Sequence, residues 1–168
     1  MNNLIITAIG SDRPGIVSEL SGIITTHGGN VEESRMSRLG SDFAIIMLVS
    51  VSTEWEESLG IALQSINDLT ISTKLTQIQE LGDNKKYQIN LNGADNEGIV
   101  KVLSKYLAEK SINILEMETH ITQAPISGTP LFNLNAFISI PNDIEEKVIQ
   151  SDLSQIAQKL GVEIHLGN

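Results

Sequence analysis

The stretch GSDRPGIV, residues 10–17, joins a predicted strand to a predicted helix. Residues 4–9 before it form a short apolar run rich in β-branched side chains, which is typical of a buried strand. After Pro14, which suits a first helical turn, apolar residues recur every three or four positions as far as His27. The glycine pair at 28–29 then ends the helix. The stretch is therefore predicted to be a tight strand-to-helix turn.

A weaker copy of this turn, GADNEGIV, occupies residues 93–100, which lie 83 residues further along the chain. Aligned without gaps, residues 10–35 and 93–118 are identical at nine of 26 positions. The identities include both glycines of the turn, the aspartate between them and an asparagine that opens the next predicted strand. This similarity predicts two adjacent modules of one architecture.

The remaining patterns of the first half complete the order βαββαβ. Residues 30–51 read as a hairpin of two alternating strands with a tight turn at 40–41. Thr53 and Glu56 have the spacing of a capping box, and the helix after them carries a stripe of four apolar residues, Trp55, Leu59, Leu63 and Ile66. Residues 71–81 read as a polar strand, followed by a linker at 82–86.

The second half repeats this order with a longer hairpin loop at residues 123–130. Its last helix is predicted to turn five apolar residues towards the core: Ile144, Val148, Leu153, Ile156 and Leu160. The predicted fold is α+β, with modules at residues 1–81 and 87–168, each an antiparallel sheet with its helices on one face.

Composition limits the classes of function. The chain carries 11 basic and 21 acidic residues, a net charge of -10, which disfavours direct binding to nucleic acid. It has no cysteine, so disulfides and thiolate chemistry are excluded. The N-terminal residues lack the pattern of a secretory leader, and no apolar run is long enough for a membrane helix. A cytoplasmic location is therefore expected.

The turn at residues 10–17 has the chemistry to bind an amino-acid zwitterion. The first N–H groups of a helix lack internal acceptors, so those of Gly15, Ile16 and Val17 are suited to a carboxylate. Asp12 beside them is suited to an ammonium group. In the alternative, structural interpretation, Asp12 caps the helix, Pro14 is an ordinary first-turn proline and Gly15 serves packing. Spacing alone leaves both interpretations open.

No residue pattern supports catalysis or a metal site. The three histidines, at positions 27, 120 and 165, have no partner at zinc-ligand spacing. Four strand acids are expected on solvated faces: Glu32, Glu33, Glu116 and Glu118. Because no nucleophile motif or nucleotide-binding fingerprint occurs, we predict a protein without catalytic residues or cofactors.

With the order βαββαβ, the motif DRPGIV at residues 12–17 resembles the ACT domain, a small ferredoxin-like module that senses amino acids. The match extends over residues 4–10, 30–35 and 43–48, where the chain is similar to a family of tandem-ACT repressors of the glycine cleavage operon. The resemblance implies a regulator without its own DNA-binding domain. Such a protein associates with a separate DNA-binding activator and blocks it when glycine is scarce.

The resemblance also implies the ligand-binding residues. By position in the motif they are Asp12, Gly15, Ile16 and Asn30 in the first module, and Asp95, Gly98, Ile99 and Asn113 in the second. Some relatives have Asn in place of Asp12 and His in place of Gly10. The implied ligand is a small amino acid such as glycine, and a homodimer is one expected assembly.

Two other functions stay open at this stage. The chain would also suit a stand-alone dimerisation or regulatory module of an amino-acid metabolic enzyme. It would further suit a fragment related to formyltetrahydrofolate deformylase, because similar turns open such enzymes ahead of their catalytic domain.

Overall fold

A computed structural model describes residues 1–78, 84–125 and 127–167 of the chain. The chain divides into two compact units, Met1–Glu80 and Leu81–Asn168. Each unit has the predicted order βαββαβ. Unit one contains β1 (Asn2–Ser11), α1 (Ile16–Thr26), β2 (Asn30–Leu39), β3 (Asp42–Val51), α2 (Glu56–Gln64) and β4 (Leu69–Thr76). Unit two contains β5 (Lys85–Ala94), α3 (Ile99–Glu109), β6 (Asn113–Gln123), β7 (Pro130–Ile140), α4 (Glu146–Leu160) and β8 (Val162–Gly167).

Each unit is built on one four-stranded antiparallel sheet. The strand orders are β2-β3-β1-β4 in unit one and β6-β7-β5-β8 in unit two. This is the ferredoxin-like arrangement, in which the first and third strands of the unit lie at the centre. The predicted fold class is therefore confirmed.

Each unit has its own hydrophobic core between the sheet and its two helices. In unit one, alternate residues of β1 and β3 pack against Leu20 and Ile24 of α1 and Leu59 and Leu63 of α2. All four of these helix side chains are fully buried. Unit two repeats the arrangement with its own strands and with α3 and α4.

The glycine near the end of the first strand of each unit is required because a side chain there would collide with neighbouring backbone atoms. A Cβ atom on Gly10 would lie 2.3 Å from the carbonyl oxygen of Asp68, and one on Gly93 would lie 2.8 Å from Cα of Val162. The central strand therefore approaches the start of the last strand more closely than any side chain would allow. This contact explains why both copies of the turn begin with glycine.

Three local predictions were wrong. The capping box at Thr53 does not form, because α2 begins at Glu56 with no side-chain cap and the Glu56 carboxylate accepts a hydrogen bond from Nδ2 of Asn2 at 2.6 Å. The second wrong prediction is the core position of Val148 in α4. Val148 is 43 % exposed, and the neighbouring Ile149 is fully buried in its place.

The third correction concerns the connection between the units. Lys85 and Lys86, assigned to the linker, are the first residues of β5, and β4 already ends at Thr76. Residues 79–83 of the predicted strand and linker lie outside the described residues. The other module boundaries stay predictions.

Candidate ligand site at the first strand-to-helix turn

Both helices that follow a first strand begin after a glycine in the left-handed conformation. The φ angle is 92° at Gly15, before α1, and 84° at Gly98, before α3. Neither helix start has a side-chain cap, so the interpretation of Asp12 as a helix cap is wrong. Glycine is needed here for its backbone angle, since a Cβ atom at either position would meet nothing within 4 Å.

Asp12 is held by β2 and the hairpin turn instead of by α1. Its backbone N–H donates to the carbonyl of Ser41 at 2.9 Å, and its Oδ2 lies 3.0 Å from Nε of Arg38. Both side chains of this ion pair are accessible, with 36 % of the Asp12 side chain and 64 % of the Arg38 side chain exposed. The pair places a carboxylate and a guanidinium side by side near the start of α1.

A small pocket of about 230 Å³ opens at this turn. Its lining combines the turn, the first helical residues and one aromatic side chain: Asp12, Arg13, Gly15, Ile16, Val17, Ser18 and Phe43. Three of the predicted site residues, Asp12, Gly15 and Ile16, therefore meet in one place. The Ile16 side chain is buried in the core, so only its backbone is left for a ligand.

Arg13 fastens the turn to the connection that precedes β4. Its Nε and Nη2 contact both oxygens of Asp68, and Nη2 also donates to Oε2 of Glu19 at 2.6 Å. These hydrogen bonds, first that of Asp68 and then that of Glu19, raise the pKa of Arg13. In return, the hydrogen bond from Arg13 lowers the pKa of Asp68. Arg13 is therefore a cation already matched by two carboxylates.

Unit two keeps the turn and loses its positive charges. Asn96 stands at the position of Arg13 and donates to the carbonyl of Leu160, the last residue of α4, at 3.1 Å, so the turn is tied to the segment just before β8. Ile121 stands at the register position of Arg38, opposite Phe132 and level with Gly93. Asp95, Gly98 and Ile99 thus occupy the same places as their counterparts, but without a neighbouring guanidinium in either of these positions.

The two predicted asparagines are not brought to the turn of their own unit. Asn30 pairs with Ser50, which in turn pairs with Asn3, whereas the turn follows Gly10 at the other end of β1. Seven residues of strand separate the two levels, a distance of roughly 23 Å at about 3.3 Å per residue. Asn113 is displaced in the same way, because it lies level with Lys86 while Gly93 marks the turn.

Asn30 belongs to a small polar network at that far end. Its Nδ2 donates to Oε1 of Glu32 at 3.1 Å, and Oγ of Ser50 donates to the same oxygen at 2.5 Å. These bonds, chiefly the one from Ser50, lower the pKa of Glu32. Glu32 is the extra residue of a bulge in β2, and the matching bulge in β6 carries Leu115.

Sequence reasoning missed Arg38, which lies 26 positions after the aspartate that it contacts. The hairpin register contains the signal that could have found it. With the turn at residues 40–41, Arg38 pairs with Phe43, and Phe43 pairs with Gly10 at the base of the strand-to-helix turn.

Among the described residues, no group of three or more histidine, cysteine or acidic side chains is arranged to hold a metal ion. Within the same residues, every helix is too short or too polar to cross a membrane.

The fold and the turn define a class of protein: a chain of two ferredoxin-like α+β units with a small pocket at the first strand-to-helix turn of unit one. The family model for the ACT domain matches residues 2–75 and 86–167. The chain therefore belongs to the ACT domain family, with one domain in each unit. Its matches indicate a regulatory ACT-domain protein.

Individual relatives agree with this assignment. The chain is 49 % identical over 49 residues to the glycine cleavage system transcriptional repressor of Escherichia coli strain K12, a match that covers 29 % of this chain and 26 % of the repressor. The chain thus matches about a quarter of that relative's length.

Solved structures extend the likeness to the whole chain. A crystal structure of an unknown protein from Galdieria sulphuraria has a TM-score of 0.84 and 34 % identity, with 99 % of this chain and 97 % of that chain covered. A candidate glycine cleavage system transcriptional repressor has a TM-score of 0.71 at 24 % identity, covering 99 % and 96 %, and supports the fold alone.

Proposed function

We propose that this chain is a non-catalytic, amino-acid-responsive regulator that represses the glycine cleavage operon through a separate DNA-binding activator. The observation that carries the proposal is the pocket beside the Asp12–Arg38 ion pair. The similarity to the Escherichia coli repressor supports the choice of pathway. The net charge of -10 supports action through a protein partner, because phosphate contacts require basic side chains. This role places the chain in the cytoplasm.

A free amino acid matches the two charges of the ion pair. Its carboxylate would bind Arg38 and the first N–H groups of α1, where the helix dipole also favours negative charge. Its ammonium group would bind Asp12. The ligand therefore exchanges one internal ion pair for two external ones. Glycine requires no side-chain contact, which suits a pocket of about 230 Å³.

The same reasoning decides which of the predicted residues belong to the proposed site. Asp12, Gly15 and Ile16 form the proposed site of unit one, together with Arg38. Asn30 lies outside that site, since an amino acid is far shorter than the strand between them. Asp95, Gly98 and Ile99 of unit two form a weak site, because Ile121 and Asn96 replace the two arginines. Asn113, like Asn30, lies outside the site of its own unit. We therefore propose one ligand per chain.

Isothermal titration calorimetry of glycine into the full chain tests the ligand. We expect one binding site per chain. Arg38→Ile, which copies Ile121 of unit two, is expected to weaken binding about tenfold or more, as the loss of a charge-assisted contact does.

The matched control is Asp95→Asn in unit two, which should leave the affinity unchanged. Equal affinity of the wild-type chain and the Arg38→Ile variant would refute the role of the ion pair. Absence of heat with glycine and with other small amino acids would refute sensing by the isolated chain.

A further inference from the structure

A groove of about 470 Å³ lies between α2 and β4 of unit one. Its floor is formed by Leu4 of β1, which is buried, and by Leu75 of β4, which pairs with Leu4 and is 55 % exposed. Glu56 and Glu57 of α2 line its rim, and Gly60 lies about one helical turn after them. The groove therefore combines an apolar floor with an acidic rim.

Gly60 keeps this side of α2 open. Glycine inside a helix lowers stability relative to other residues, and Gly60 does not have the left-handed backbone angle that would require it. A Cβ atom at Gly60 would meet nothing within 4 Å among the described residues. A side chain would therefore fit within the unit, and its absence lets another molecule approach the backbone of α2 closely.

The side of α2 next to this glycine is both acidic and apolar. Glu57 is followed three and four residues later by Gly60 and Ile61, which places all three on one side of the helix. The Ile61 side chain is 65 % exposed. A helix that approached α2 at Gly60 would cover Ile61 and reach Leu75, so both would leave water.

The corresponding helix of unit two has a different surface. Leu59 and Leu63 of α2 correspond to Ile149 and Leu153 of α4, since each pair is buried at the same spacing. At the positions of the acid, the glycine and the exposed isoleucine, α4 has only basic or polar residues: Lys147, Gln150 and Ser151. Both units have the same fold, so the fold does not require the surface of α2.

Larger side chains also occupy the floor positions in unit two. Tyr87 stands at the register position of Leu4, is buried, and donates from its hydroxyl to Oε2 of Glu146 at 3.0 Å. Leu166 stands at the register position of Thr73, which lines the groove in unit one. The open groove is therefore a property of unit one and is separate from its ligand turn.

The charge of the rim specifies the occupant. Glu56 accepts a hydrogen bond from the neutral amide of Asn2, and among the described residues neither Glu56 nor Glu57 forms an ion pair. Helices α1 and α2 together contain three acidic residues and no basic residue. Complementary positive charge must therefore come from another molecule.

We propose that this groove binds a basic amphipathic helix of a protein partner. The apolar side of that helix lies on Leu4, Leu75 and Ile61, and its lysine or arginine side chains pair with Glu56 and Glu57. The closest approach of the two helices is at Gly60. The proposal rests on the proposed function in one respect, which is that the chain acts through a protein partner.

Fluorescence anisotropy of a labelled peptide tests the groove on the full chain. The probe is a synthetic peptide of about 18 residues, with leucine at helical spacing on one side and lysine on the other. Gly60→Gln and Glu57→Lys copy unit two, and each should weaken binding about tenfold or more. Gly60→Gln removes a glycine from a helix, so its melting temperature should not fall below that of the wild-type chain.

Lys147→Glu, at the position of unit two that corresponds to Glu57, is the matched control and should leave the affinity unchanged. If the peptide responds to net charge alone, Lys147→Glu will strengthen binding, and the proposal is overturned. Wild-type affinity in Gly60→Gln would also overturn it. So would equal binding of a peptide with glutamate in place of lysine, or no binding of the basic peptide to the wild-type chain.

Calorimetry with glycine separates this proposal from the proposed ligand site. Gly60→Gln should bind glycine as the wild-type chain does, because Gly60 does not line the pocket at the first strand-to-helix turn. A wild-type chain that binds glycine but not the basic peptide would overturn the groove and leave the ligand site supported. A chain that binds the peptide at the groove but not glycine would support the groove and contradict only the ligand.

Discussion

At the scale of single residues, Arg13 and Asp68 join the first strand-to-helix turn to the connection that precedes β4. Arg13 contacts both oxygens of Asp68, and the same connection carries the carbonyl that lies against Gly10. The turn is therefore held from two directions, by an ion pair and by close backbone packing. This arrangement fixes the start of α1 relative to β4 without using the Asp12 side chain.

The Arg13–Asp68 contact predicts a specific pH dependence of stability. The hydrogen bond from Arg13 holds the pKa of Asp68 below its usual value. A carboxyl group of this kind stabilises the folded state above its unfolded pKa of about 4, and the contribution is lost as the pH falls through the lower, folded pKa. Asp68→Asn should therefore be less stable than the wild-type chain at pH 7, with the difference vanishing in acid.

Urea unfolding at several pH values measures this effect, which should be modest because both side chains are partly exposed. Arg13→Gln removes the same contact and should give a similar profile. A stability difference that stays constant from pH 7 to strong acid would contradict the assignment.

At the scale of elements, α4 shows how one helix chooses its buried face. Its apolar residues permit more than one stripe, and the stripe that packs on the sheet contains Ile149, Leu153, Ile156 and Leu160. Val148 is one position out of phase and is exposed. The choice depends on where the helix begins, at Glu146, and on how it packs against β8 and α3.

Truncation of these two neighbours should give very different results. Ile149→Ala is expected to lower the free energy of unfolding by about 2 to 5 kcal/mol, because it leaves a cavity in the core of unit two. Val148→Ala should change it by less than about 0.5 kcal/mol, since the side chain is largely in solvent. Denaturant unfolding of both variants provides the comparison. Equal losses of unfolding free energy in the two variants would contradict the assignment of Ile149, and not Val148, to the core.

At the scale of the whole molecule, two copies of one fold have acquired different surfaces. The turn of unit one has two arginines where unit two has Asn96 and Ile121. One exposed side of α2 is acidic and apolar, whereas the same side of α4 is basic and polar. These differences involve residues outside the cores, so each copy could change without loss of fold. They are consistent with the proposal of one ligand site per chain.

The proposed regulatory role makes a prediction about the intact chain. When the tagged full-length chain is purified from a lysate of its own cells, a DNA-binding protein of the helix-turn-helix type should co-purify, identified by mass spectrometry. Its yield should change when glycine is added, because the ligand shifts the chain between states of different affinity.

The Arg38→Ile variant is the control for this experiment. It should recover the same protein in an amount that glycine no longer changes. If glycine does not change the yield of the DNA-binding protein that co-purifies with the wild-type chain, ligand control is contradicted. If no DNA-binding protein co-purifies, the proposed route of repression is contradicted.

The sequence by itself determined the duplication, the order of elements and the position of the strand-to-helix turn. These follow from local signals: apolar period, glycine and proline at turns, and identity between residues 10–35 and 93–118. Such signals need no knowledge of which strands are neighbours.

Only the tertiary structure decided which residues share a site. Strand pairing brings Arg38 to Asp12 and takes Asn30 to the far end of β1, although both asparagine and arginine lie on the same strand. The phase of α4 and the failure of Thr53 to cap α2 are also set by contacts between elements. Interactions between residues distant in sequence depend on sheet register. The local hairpin gives the pairing of Arg38 with Phe43, but only the pairing of β3 with β1 brings both to the turn after Gly10.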